Sequence, residues 1–151
     1  MRETPRTRRE APFDPHTRPL AYRIFPSPLG PLLIARSEAG VVLIEYLERG
    51  AGLEASRRGR EPRGKAVEGG ADLEAVYRDV LAYLAGQLRD FDWPLDLRLV
   101  RSDFHRSVLD ATAAIPYGAV VTYAGIALRA GRGTAPRAAA QALRGNPRPV
   151  M

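Results

Sequence analysis

The chain has 151 residues and a formal net charge of +6 at pH 7; Lys65 is the one lysine among 23 basic residues, and there is no cysteine. That length fits one compact unit, in one part or two, and the missing cysteine excludes disulfides, thiolate metal sites and a nucleophilic thiol within these residues. No apolar run approaches the roughly 18 residues of a membrane span, and the N-terminus lacks an apolar signal core, so a soluble cytoplasmic protein is expected.

Residues 1–19, MRETPRTRREAPFDPHTRP, hold too few apolar side chains to offset the entropy of ordering and are expected to form a flexible tail. From Tyr22 short apolar runs alternate with turn signals: YRIFP, Ser27-Pro28-Leu29-Gly30, PLLIAR, Ser37-Glu38-Ala39-Gly40 and VVLIEYL. This pattern predicts three antiparallel strands joined by tight turns. The stretch 48–70 is dense in glycine and charge and reads as a long surface loop with one helical turn near Leu53. Beyond it Leu73, Val76, Tyr77, Val80, Leu81, Leu84 and Leu88 recur at three and four residues, predicting an amphipathic helix capped by Asp72. Asp90 to Pro94 ends that helix, and Leu95 to Val100 alternates like a strand or an extended linker.

The last third predicts short helices. Asp103 is placed to cap Phe104 to Ala114, with Phe104, Val108 and Leu109 buried; Ile115-Pro116-Tyr117-Gly118 turns the chain; Thr122 is placed to cap Tyr123 to Ala130. After Gly131-Arg132-Gly133, Thr134 is placed to cap Ala135 to Arg144, with Pro136 in the first turn and Gly145 as the stop. Two short helices around a Gly-containing turn make a helix-turn-helix arrangement. Charge follows the same division: residues 104–151 hold six arginines (106, 129, 132, 137, 144 and 148) against Asp110, whereas residues 20–103 are close to neutral. A basic back half suits a polyanion, although a merely solvated basic face has the same composition. In APRAAAQALR the small side chains of Ala138, Ala139, Ala140 and Ala142 let a helix surface approach something closely, and Arg137 and Arg144 bracket them. Packing against a neighbouring helix uses small residues equally well, and Tyr123 and Asn146 have bland readings as a core tyrosine and a helix-end cap.

The run FHRSVLDATAAIPYGAVVTYAGIALRAG, followed by PRAAAQALRGNPRPV, resembles the DNA-binding domain of the alkylguanine-DNA alkyltransferases, or methylated-DNA-protein-cysteine methyltransferases. FPSPLGPLLIARSEAGVVLIEYL resembles that family's ribonuclease-H-like N-terminal domain, so the likeness spans Tyr22 to Met151. It implies an α+β fold: a ribonuclease-H-like domain at 20–100, with a three-stranded sheet and a helix, then a helical domain at 101–151 with a winged helix-turn-helix. It also implies an activity, flipping a guanine alkylated on its exocyclic oxygen out of duplex DNA and moving the alkyl group to the protein's own cysteine, in one turnover and without a cofactor or metal.

By motif position, Arg137 is the arginine that replaces the flipped base, Tyr123 presses on the phosphate, and Asn146 is the hinge after the recognition helix. Thr134, Ala138, Gln141, Leu143 and Arg144 complete the implied DNA contacts. Ala140 stands where the family usually has Gly, and His105 and Leu109 replace its commoner Gln and Trp. In the family, the segment matching NPRPVM runs into a Pro-Cys-His-Arg acceptor motif that these 151 residues do not include. The resemblance therefore predicts a fragment cut short before the acceptor, which binds alkylated duplex DNA as a monomer, associates with the nucleoid and transfers nothing. A non-catalytic alkyltransferase-like lesion binder and a helix-turn-helix regulator remain open as other readings.

Overall fold

The computed structural model describes residues 19–52 and 66–148. Strands β1 (Leu20–Phe25), β2 (Leu32–Ser37) and β3 (Gly40–Tyr46) form the antiparallel meander that the turn signals predict. A fourth strand, β4 (Ala66–Glu68), pairs in parallel with β1, so the sheet runs β3-β2-β1-β4. The end of the stretch 48–70 is thus an edge strand and not loop; three residues are too few to show a period. The turn expected near Leu53 and the tail up to residue 18 lie outside the described residues.

Both faces of the sheet are covered, which is why β2 reads as an unbroken apolar run, LLIA. On one face Phe25, Leu32, Ile34, Val41 and Ile44 pack against Leu73, Val76 and Val80 of helix α1 (Ala71–Leu84). On the other, Leu20, Leu33, Ala35, Val42, Leu43 and Leu47 form a second layer with Leu99 against it. In β3 the register steps from Leu43 opposite Ala35 to Val41 opposite Arg36, which leaves Val42 as an extra residue. That bulge puts Val41 and Ile44, three positions apart, on the same face.

Helix α1 carries the expected apolar stripe, but its cap position is Gly70, with no side-chain hydrogen bond; Asp72 lies inside the first turn. There its charge favours the positive end of the helix without capping it. The helix ends at Leu84 and does not reach Leu88, because Gly86 turns the chain at φ 72° and its N–H donates to the Tyr83 carbonyl at 3.0 Å. Aromatic rings carry the chain back: Tyr83 to Phe91 at 5.0 Å between centroids, and Phe91 to Trp93 at 4.2 Å. Trp93 Nε1 donates to Asp79 at 2.8 Å.

Leu95 to Val100 forms no strand, only one isolated parallel bridge between Leu95 and Val41. Val41 N–H donates to the Pro94 carbonyl at 2.9 Å and Asp96 N–H to the Val41 carbonyl at 3.0 Å. Gly40 makes this approach possible: its φ is 146°, and a Cβ there would stand 2.1 Å from the Pro94 oxygen.

Three short helices follow, α2 (Asp103–Ala113), α3 (Tyr123–Arg129) and α4 (Pro136–Arg144), around Val108, Ile126, Ala127 and Ala139. Phe104, Ala111, Ala142 and Leu143 are partly buried against that core. Thr122 caps α3 as predicted, its hydroxyl accepting from Gly125 N–H at 3.1 Å. Two expected caps are corrected. Ser102, in extended conformation, caps α2 by accepting from His105 N–H at 3.1 Å, and Asp103 is already helical. Ala135, not Thr134, occupies the cap of α4. Pro136 excludes its predecessor from the helical region, so the boundary falls one residue later than the Thr suggests.

Candidate nucleic-acid interface

Helix α4 exposes Arg137, Ala138, Gln141 and Arg144, at spacings of one, four and seven residues along one stripe, and buries Ala139 on the other side. The alanines therefore divide. Ala139 is core, Ala140 and Ala142 are half-buried, and only Ala138 offers its methyl group to an approaching surface. Leu143 is half-buried against the helical core, and Thr134 is exposed in the turn before the helix. Tyr123, in the first turn of α3, is 57% exposed, which removes the reading of it as a core tyrosine. The structure thus brings Arg137, Ala138, Gln141 and Arg144 onto one surface, with Tyr123 and Thr134 exposed on neighbouring elements and Leu143 supporting from beneath.

The six arginines of the last third do not act as one basic face. Arg106, Arg129, Arg132, Arg137 and Arg144 are exposed. Arg132 lies over the Phe104 ring at 4.8 Å, and Arg148 is 3% exposed. Asn146 accepts from Arg148 N–H through its side-chain oxygen at 2.9 Å, closing an Asx turn directly after α4. The next residue joins the sheet: Ile44 N–H donates to the Pro147 carbonyl at 2.8 Å. Arg148 then points inward, one guanidinium nitrogen 3.5 Å from the Val42 carbonyl and 3.4 Å from the Asp96 carbonyl.

Asp96 is the charged centre beside it. Its carboxylate accepts from Ser37 Oγ at 2.6 Å and from Arg98 Nε at 2.8 Å. Burial pushes its pKa up, but the hydrogen bonds from Arg98 and Ser37 and the charge of Arg98 outweigh this and hold the carboxyl below its ordinary value. Burial lowers the pKa of Arg148, and the charge of Asp96 partly opposes that shift.

Two features beside the stripe escape a reading from spacing alone. Arg101, Ser102, His105, Ala138, Gln141 and Gly145 help to line a cavity of about 360 Å³ between the start of α2 and α4. Tyr117, in the turn before α3, is 55% exposed and meets Tyr83 edge-on at 6.1 Å and the Arg89 guanidinium at 5.6 Å. The only local signal for the first was the serine preceding Asp103; the second depends on contacts across 34 residues and has no local signal. Among the described residues no group of three or more His, Cys, Asp or Glu is placed to hold a metal ion, and no helix is long and apolar enough to cross a membrane.

Comparison with known proteins agrees with this architecture at both ends. Residues 20–97 match the family model of the 6-O-methylguanine DNA methyltransferase ribonuclease-like domain, and residues 103–151 match that of the same family's DNA-binding domain. The chain belongs to the 6-O-methylguanine DNA methyltransferase family. Methylated-DNA-protein-cysteine methyltransferases of Methanosarcina acetivorans and Mycobacterium tuberculosis (strain H37Rv) are 33% and 36% identical to it over 126 residues. Each alignment covers 83% of this chain, and 75% and 70% of the respective relative. Among solved structures, the M. tuberculosis O6-methylguanine methyltransferase matches with a TM-score of 0.69 at 30% identity, over 85% of this chain and 72% of that one. The M. tuberculosis OGT in complex with DNA matches with a TM-score of 0.67 at 32% identity, over the same shares. The α+β class and the helix-turn-helix are therefore those of a methyltransferase of this family, and its 151 residues include no cysteine.

Proposed function

We propose that the chain binds duplex DNA and recognises a guanine alkylated on its exocyclic oxygen, as a monomer, with residues 20–100 as a ribonuclease-like domain supporting a DNA-binding domain at 101–151. The observation that supports this best is the exposed stripe of α4. Arg137 and Arg144 stand one at each end of it, with the small Ala138 and the amide of Gln141 between them. Charged ends fix a helix on phosphates, and a small middle lets its backbone approach a groove.

Each residue type suits the role given to it. Arg137, exposed in the first turn of α4, has the reach to fill the space left by an extruded base and to hydrogen-bond its orphaned partner. Tyr123 is a rigid lever held at the start of α3, where Thr122 fixes the helix end. Asn146 sets the turn by which the chain leaves the recognition helix. Without a cysteine, these 151 residues hold no acceptor for the alkyl group, so their chemistry is binding.

Fluorescence anisotropy with two duplexes identical except for one O6-methylguanine tests the reading. The modified duplex is expected to bind at least about threefold more tightly, because a damaged base is easier to extrude. Equal affinities would reject lesion recognition and favour a general DNA binder. Arg137→Glu is expected to weaken both complexes by about tenfold or more, while Arg78→Glu, on the exposed face of α1, leaves them unchanged. Equal losses from the two changes would place the binding surface elsewhere.

A further inference from the structure

We infer that Arg148 is a positioning residue, a buried peg that fastens the end of the recognition helix to the open edge of the sheet and so fixes the angle at which α4 is presented. The DNA consequence rests on the binding reading above; the docking itself does not.

Strand β3 is the last strand on its side of the sheet, and an edge of this kind exposes unpaired N–H and C=O groups. Here two separate pieces of chain close it. Pro94 and Asp96 pair with Val41, and Pro147 accepts from Ile44 N–H. Between these contacts lies the bulge at Val42, which has no partner in the β2–β3 register. The Arg148 guanidinium fills that gap, reaching the carbonyl of Val42 in β3 and that of Asp96 in the segment paired with it. Asp96, held by Ser37 of β2 and by Arg98, supplies the opposing charge.

Only Asn146 and Pro147 separate Arg148 from Gly145, the cap of α4. The Asx turn uses the backbone N–H of Arg148, so the residue that terminates the turn is the residue that is buried in the sheet. A side chain with several fixed donors suits this place, because both acceptors are backbone carbonyls in different segments. An aliphatic residue would fill the volume but leave the two carbonyls without a donor.

The test follows hydrogen exchange at two β3 amides in the full chain. Ile44 N–H reports docking, because it donates to Pro147; Leu47 N–H, which donates to Pro31, reports the sheet itself. In Arg148→Met, Ile44 is expected to exchange at least about tenfold faster while Leu47 keeps its rate. DNA affinity falls by several-fold, with an unchanged dependence on salt. Arg148→Lys keeps the charge and one donor nitrogen on a shorter side chain, and should recover part of both effects; if the Met variant does not fold, the Lys variant supplies the comparison of Ile44 with Leu47. Ile44 exchange that stays unchanged, or rises only together with Leu47, would overturn the proposal. Faster exchange at Ile44 with native DNA affinity would reject the effect on presentation and leave the docking in place.

Discussion

Asp96 shows how one residue joins segments far apart in the chain. Its side chain meets Ser37 and Arg98, its carbonyl receives Arg148, and its N–H donates to Val41. Nothing local announces this: within LDLRLV it reads as the polar member of an alternating strand. Because its folded pKa lies below that of an unfolded aspartate, about 3.9, its ionised form stabilises the fold above that pH. The contribution is lost as pH falls through the lower, folded value. Asp96→Asn should therefore lower Tm at pH 7, and the gap from the native protein should narrow as pH drops below about 4. A gap that is constant from pH 7 to pH 3 in thermal melts would show that the carboxylate charge is not what stabilises this cluster.

The elements themselves were largely legible, because their signals are local. The strands β1 to β3, the apolar stripe of α1 and the order of the last three helices all follow from apolar spacing and turn residues. What escaped was decided by a neighbour. Strand β4 exists only because β1 offers it an edge, and two helix starts shifted by one residue, at α4 because Pro136 excludes its predecessor from the helix and at α2 because two capping candidates are adjacent. At α2 the pair is Ser102-Asp103, both good caps by composition, and the extended backbone of Ser102 decides between them. Ser102→Ala should cost about 1 kcal/mol of stability, by removing the acceptor for His105 N–H. Asp103→Ala removes only a first-turn charge and should cost about 0.5 kcal/mol or less. Urea melts of the two variants separate these outcomes, and a larger loss at Asp103 would restore the capping order expected from the sequence.

Along the whole chain, the placement of charge matters more than its total. The sequence gathers six arginines after residue 103, and composition alone would assign them all to a polyanion. Folding sorts them: five are exposed, Arg132 among them but laid over an aromatic ring, and Arg148 is buried with its guanidinium against the carbonyls of Val42 and Asp96. The family resemblance singled out Arg137 and Asn146 but gave no sign that Arg148 turns inward, since that depends on a bulge in β3 roughly a hundred residues earlier. Counterion release makes the sorting measurable. Each phosphate neutralised contributes about −0.9 to the slope of log affinity against log salt on duplex DNA. Arg137→Ala and Arg144→Ala should each make the slope shallower by about one. Arg148→Met removes the same formal charge and weakens binding, yet should leave the slope as it is, because a buried guanidinium displaces no counterion from DNA. A salt titration of the three variants against one duplex reads all of this directly, and a shallower slope for Arg148→Met would mean that its side chain leaves the sheet to meet a phosphate.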